Sequence, residues 1–309
     1  MNQSTFNQIS PHVYWLSPDA TTDRPVLGAV AGTERTLIVD AGNSPAHARL
    51  LLQHLADVEI PPPAFLALTH WHWDHVFGAA TIELPTFAHA ETARIVAAMT
   101  RLDWSDEALD RRVKQGVEIA FCRDMIKAEL PDRSNLVLRA PDIAFTHQVE
   151  IYLGAARCQI VHVGGDHAAD SSVVYVPGDK VMFLGDCLSP DLYSGEPSYS
   201  AGNVLRLVDQ LLRFDVDFYL AGHSPEPLSR DEIVEYAHLL QTVAGLVEQR
   251  GDDRAAVLAA LQERLAVPLT EEHLETVDEF LAGIRKSTAE RASSGADHLE
   301  DVANATEMP

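Results

Sequence analysis

Cysteine is scarce in this chain. Cys122, Cys158 and Cys187 are far apart and odd in number, which argues against a disulfide framework. Positive charge is scarce too: 23 Lys and Arg stand against 46 Asp and Glu, for a formal net charge of -23. No Lys/Arg-rich run offsets it. A chain of that sign repels phosphate backbones and anionic lipid, so neither nucleic acid nor a membrane is an expected partner. No apolar run approaches the length that spans a bilayer. The opening stretch, MNQSTFNQIS, lacks a charged start followed by an apolar core, so the expected compartment is the cytoplasm.

What is present is a globular composition. With 309 residues, 46% of them hydrophobic, the chain can bury a large core and does not need metal merely to fold. Residues 12–16, 25–31 and 36–42 read as short strands, Pro45 to Leu55 as a helix, and Phe65 to Thr69 as a buried strand aimed at His70. Residues 89–130 hold helix formers and few breakers. There the spacing of Val113, Val117, Ala120 and Phe121 predicts one apolar face. Strands resume in HQVEIYLG, RCQIVHV, SSVVYVP and KVMFLGD, with VPGDK as a hairpin turn. GNVLRLVDQLLRF reads as an amphipathic helix, and DFYLAG as a strand that stops at His223. Ser229 stands where a helix N-cap should, ahead of Asp231 and Glu232. The expected organisation is a domain over 1–228 with a helical insertion at about 90–130, a helical extension over 229–286, and a polar tail over 287–309 that frays.

The chemistry concentrates in LTHWHWDHVFGA, where His70, His72, Asp74 and His75 fall within six residues. Imidazole and carboxylate are ligands that zinc and related divalent ions prefer. On an extended segment His70 and His72 share a face, Asp74 continues the alternation, and His75 points elsewhere, toward a second ion. Trp71 and Trp73 then fall on the opposite face as anchors. Later segments offer further ligands: His167 in a Gly-rich turn between strands, Asp186 where an apolar strand ends, and His223 directly after another. Gly185 and Gly222 leave room beside them. His162 reads as a strand histidine. Cys187 competes with Asp186, although a carboxylate with two oxygens is the better bridge. His12, His47, His54, His238, His273 and His298 read as surface or packing residues.

Taken together, His70-x-His72-x-Asp74-His75, the Gly165-Asp166-His167 turn, Gly185-Asp186 and Gly222-His223 resemble the metallo-β-lactamase superfamily in order and spacing, from about Val13 to Pro225. The resemblance implies an α/β (α+β) fold, a four-layer αββα sandwich of two mixed sheets, here with a C-terminal helical extension. It implies that His70, His72 and His167 hold a first ion, that Asp74, His75 and His223 hold a second, and that Asp186 bridges them. The implied cofactor is a pair of divalent ions, zinc first, with iron and manganese as alternatives.

The activity expected from this resemblance is metal-dependent hydrolysis of a small ester, lactone, thioester or amide. A hydroxide shared by ions about 3.5–4 Å apart would be the nucleophile, and Asp74 would orient it and shuttle a proton. Ser189 stands where lactamases with a cysteine on this strand place a carboxylate-binding lysine, so a dedicated β-lactamase is not expected. An acidic C-terminal region fits poorly with the basic glutathione site of glyoxalase II-like members. Tyr193, seven residues after Asp186, could contact substrate, as a tyrosine does in the quorum-quenching lactonases. Trp104 and Phe121 are candidates for an apolar wall, and the C-terminal helices could form a homodimer contact. The rival expectations are a mononuclear iron oxygenase resembling persulfide dioxygenases, and a non-enzymatic or regulatory metal-binding protein.

Overall fold

The computed structural model describes residues 4–305, with side chains described through Thr288. Contacts divide the chain into two units: Met1–Ser189 with Asp209–Val234, and Pro190–Val208 with Glu235–Pro309.

The first unit opens with a meander. β1 (Phe6–Gln8), β2 (Val13–Leu16), β3 (Leu27–Ala31) and β4 (Thr36–Val39) pair antiparallel in sequence order. The unbroken runs LGAVA and TLIV make β3 and β4 buried along their whole length. α1 (Pro45–Ala56) starts where Ser44 Oγ accepts the His47 N–H at 3.0 Å, with Pro45 in the first turn. It buries Ala48, Leu51 and Leu55. This crossover lets β5 (Pro63–Ala67) lie parallel to β4. The single turns α2 (Trp73–Val76) and α3 (Ala79–Ile82) follow, then β6 (Thr86–His89), parallel to β5. α4 (Ala90–Met99), α5 (Asp106–Lys114) and α6 (Ala120–Glu129) make up the insertion. β7 (Ile143–Phe145) then ends the seven-stranded sheet.

The insertion does not have the apolar face that its spacing suggests. α5 stops at Lys114, and Gly116 takes φ 71°, so Val113 and Phe121 lie on separate helices. Val117 and Phe121 are exposed, and the buried residues are Ala108 and Leu109 on α5 with Cys122 and Ile126 on α6. Trp104 packs edge-on against Phe77, ring centroids 4.8 Å apart, beneath the Arg112 guanidinium. It is therefore a buried anchor of the insertion, whereas Phe121 is exposed.

A second, six-stranded sheet follows. β8 (Gln148–Tyr152), β9 (Arg157–His162), β10 (Ser172–Val176) and β11 (Val181–Gly185) run up and down. After α7 (Ala201–Leu212), β12 (Phe218–Ala221) pairs parallel with β11, and β13 (Leu228–Ser229) covers its edge. Val13, Trp15, Val30, Leu37 and Val39 share one buried cluster with Ile151, Ile160, Val174, Val181 and Phe183. The two sheets therefore stack face to face.

α8 (Arg230–Arg250) begins in the first unit and enters the second at Glu235, where α9 (Arg254–Leu265) and α10 (Glu271–Ala305) follow. α8 begins on a capping box: Ser229 N–H donates to Glu232 Oε2 at 2.7 Å, and Glu232 N–H to Ser229 Oγ at 3.3 Å. The expected boundary at 229 misses part of this unit, because residues 190–208 belong to it. Tyr199 explains why: its ring packs on Phe280, its N–H donates to the Glu279 carbonyl at 3.1 Å, and Lys286 pairs with Asp191 at 2.6 Å. The tail expected from residue 287 is helical as far as Ala305; residues 306–309 and the His298 side chain lie outside the described residues. Among the described residues no helix is long and apolar enough to cross a membrane.

Candidate metal centre

Both sheets contain parallel strands, and the chemistry sits at the C-terminal ends of one parallel pair in each, β4 with β5 and β11 with β12. β4 ends at Asp40 and β5 leads into Thr69 and His70; β11 ends at Gly185-Asp186 and β12 leads into Gly222-His223. Such strand ends are where open α/β folds place ligands. Backbone bonds fix the approach. Gly222 N–H donates to the Gly185 carbonyl at 2.9 Å, and Ser172 N–H, at the start of β10, donates to the Thr69 carbonyl at 2.8 Å. The second bond fastens the His167 turn to the His70 segment.

These elements bring the ligand atoms into two groups: His70, His72 and His167, and Asp74, His75, Asp186 and His223. Within each group the atoms lie within 4.8 Å of one another. Asp186 Oδ2 joins the groups. It is 3.5 Å from His167 Nε2 in the first, and 3.4 Å from His75 Nε2 and 3.2 Å from His223 Nε2 in the second. Asp74 Oδ2 lies 3.2 Å from both His75 Nε2 and His223 Nε2. No further such group occurs among the described residues.

The route to this grouping differs from the extended alternation expected. The chain is extended only to His72, and from Trp73 it makes one helical turn. That turn, rather than a strand pleat, carries Asp74 and His75 to the second group. Trp73 is buried as an anchor, whereas Trp71 is half-buried.

Electrostatics separates the groups. Burial, reinforced by neighbouring imidazoles, pushes His70 well below the usual range and His72 down to about 3. Both are neutral, lone-pair-bearing donors at neutral pH. In the second group burial opposes charge on every member, and the mutual attractions win. His75 and His223 hold Asp74 and Asp186 well below the carboxylate range, and the two carboxylates in turn raise His75 and His223 well above theirs. Divalent ions fit this set. His70 Nε2 and Asp186 Oδ1 are buried with no hydrogen-bond partner among the described residues, a costly arrangement unless something coordinates them. The donors are nitrogen and oxygen, with no thiolate. Cys187 is buried, and burial pushes its thiol up, away from the thiolate form.

Three carboxylates escaped the sequence reading. Asp40 accepts from the Thr69 N–H at 2.8 Å, from Thr69 Oγ1 at 2.9 Å, and faces His75 Nδ1 at 2.8 Å. Its place after the run TLIV, like that of Asp186 after VMFLG, was the available signal. Asp170, buried in the His167 turn, accepts from Thr92 Oγ1 at 2.7 Å. Asp23 Oδ1 lies 3.5 Å from His223 Nδ1, and burial, with Asp74 and Asp186 adding to it, pushes its carboxyl up to about 6. Among the described residues, His162 stacks on His89 and meets the Ala169 carbonyl through Nε2, and His12 pairs with Asp179. Tyr193 lies in the second unit, where its N–H donates to Asp191 at 2.9 Å, and is in neither group.

Residues 26–223 match the metallo-beta-lactamase superfamily, well over half of the chain. The chain belongs to that superfamily. Its structure is similar to a metallo-beta-lactamase from Pontibacter korlensis, with a TM-score of 0.55 and 20% identity over 77% of this chain and 99% of that one. TMB-1 is similar at TM-score 0.55 and 14% identity, covering 79% of this chain and 100% of that one. A double mutant of the sec-alkyl sulfatase PisA1 gives TM-score 0.60 and 15% identity over 88% of this chain, which spans 46% of the sulfatase. At these identities the likeness is one of fold, the superfamily's αββα sandwich. No curated protein matches the chain in sequence.

Proposed function

We propose that this superfamily member is a dinuclear metal-dependent hydrolase acting on a small ester, lactone, thioester or amide, with zinc as the first candidate metal. One observation carries the reading: Asp186 Oδ2 lies within 3.5 Å of histidines from both groups, at the place a bridging ligand requires. His70, His72 and His167 would hold one ion, and Asp74, His75 and His223 the other. A pair of divalent ions would supply a nucleophile drawn from water at neutral pH and a Lewis acid for the substrate carbonyl.

The chain's own residues account for the rest. His70 and His72, neutral through burial, donate lone pairs without first giving up protons. Asp186 places negative charge between the two groups and would offset the repulsion of two cations. Asp74 is already ionised, so its carboxylate can orient a water molecule, take up its proton and return it to a leaving group. The net charge of -23 supports a small molecule as substrate rather than nucleic acid.

The test is metal content together with a substrate panel. Stripped protein is reloaded with zinc, manganese or iron and assayed on esters, lactones, thioesters, a β-lactam and a sec-alkyl sulfate. The expected result is two ions per chain and hydrolysis of at least one class, falling at least about 100-fold in Asp186→Ala. One ion per chain, or iron-dependent oxygen uptake indifferent to His223→Ala, would replace this reading with an oxygenase. Full loading with no turnover on any substrate would favour a non-enzymatic role.

A further inference from the structure

The two histidines of the second group are held alike. His75 turns Nε2 to Asp74 and Asp186, and Nδ1 to Asp40 at 2.8 Å. His223 turns Nε2 to the same two carboxylates, and Nδ1 to Asp23 at 3.5 Å. Asp40 and Asp23 also share a backbone conformation, with φ of 60° and 59°. That left-handed region is uncommon for residues other than glycine, although aspartate enters it more readily than most, and fixed surroundings help to hold it there.

For Asp23 the surroundings can be named. Its neighbours on both sides are tied to one buried carboxylate, Glu129 at the end of α6: Thr22 through Oγ1, and Arg24 through Nε and Nη2, the latter at 2.8 Å. Ser44 Oγ donates to the same carboxylate, and Asn43 Nδ2 holds the Thr22 carbonyl at 2.8 Å. Further along, Val26 N–H donates to the carbonyl of Gly222 at 2.6 Å, one residue before His223. The loop is thus pinned on one side to Glu129 and on the other to the His223 segment, and Asp23 is left facing the imidazole. The separation of 3.5 Å is a small side-chain rotation from hydrogen-bond length.

We propose that Asp23 is a positioning residue for the second ion: its carboxylate takes the Nδ1–H of His223, fixing the ring so that Nε2 offers its lone pair, and Glu129 locks the loop that carries it. The inference rests on the two-ion reading above. Carboxylate partners of this kind set the tautomer and orientation of a metal-binding histidine, and their loss typically weakens the metal about 10–100-fold.

The test titrates stripped protein with Zn2+ against a chromophoric chelator, with Co2+ absorption as a second readout, in the unchanged chain, Asp23→Gly, Asp23→Asn and His223→Ala. Glycine keeps the left-handed backbone without strain, and a thermal melt of the stripped protein checks that folding is intact. The dissociation constant abolished by His223→Ala identifies the second group. In Asp23→Gly that constant should rise about 10–100-fold and the matching Co2+ bands should fade, while the other constant holds. Asp23→Asn, which keeps an acceptor oxygen, should recover part of the loss. Two unchanged constants in Asp23→Gly, or equal weakening of both, would overturn the inference and leave the two-ion reading standing. An unchanged chain that holds fewer than two ions would overturn both.

Discussion

Gly222 is packed so tightly on Asp186 that a Cβ at that position would lie 1.9 Å from Asp186 Oδ1. The constraint is one of space alone, because Gly222 is absent from the positive-φ glycines. Gly222→Ala should therefore fold while pushing the Asp186 carboxylate out of place. The expected outcome is weakened retention of at least one bound ion and a fall in hydrolysis of about 10–100-fold, read by elemental analysis and activity beside an unchanged circular dichroism spectrum.

Asp40 sits beneath His75 and also receives the Thr69 N–H and hydroxyl. Removing a buried charge leaves its partners uncompensated, at a cost of about 3–5 kcal/mol. Asp40→Ala should lower the stability of the metal-free protein by roughly that amount, visible as a shifted urea midpoint. An unshifted midpoint would mean that His75 is not charged in the metal-free state.

Metal uptake should depend on pH differently in the two groups. His75 and His223 are held protonated by Asp74 and Asp186, so an ion entering there must displace protons. Affinity for that ion rises with pH, and calorimetry in buffers of different ionisation enthalpy should register proton release. His70 and His72 are already neutral and release none at neutral pH.

His47 offers a test of acid stability at a residue outside both candidate ligand groups. It is fully buried, and burial, aided by the positive charge of Arg24, pushes it from 6.5 down to about 3. The unfolded chain takes up this proton near pH 6.5 and the folded one only near pH 3. In that window acidification favours unfolding, by about 1.4 kcal/mol per pH unit. His47→Leu should flatten the fall in stability across the window, measured by urea melts at several pH values.

The ligand residues were legible because each announces itself locally: His70 and His223 follow apolar strands, and Asp186 follows VMFLG beside a glycine. The grouping was legible only through the resemblance, because local alternation sets Asp74 beside His70 and His72, and the turn at Trp73 that carries it to His75 has no local signal. Asp40 and Asp23 stayed hidden because they act through other side chains, from a left-handed backbone that composition does not reveal. The apolar spacing around Val117 misled because Gly116 breaks the helix on which the periodicity depends. The membership of residues 190–208 in the second unit rests on contacts of Tyr199 with Glu279 and Phe280, about eighty positions away, which no local pattern encodes.

Glu129 closes the insertion helix α6, yet its carboxylate grips Thr22, Arg24 and Ser44 near the start of the chain. Damage to the insertion would then register as poor cation retention together with the stability lost when a buried carboxylate is removed. A screen scoring thermal stability alone would class such variants as folding defects, and an assay for bound metal would show the second consequence.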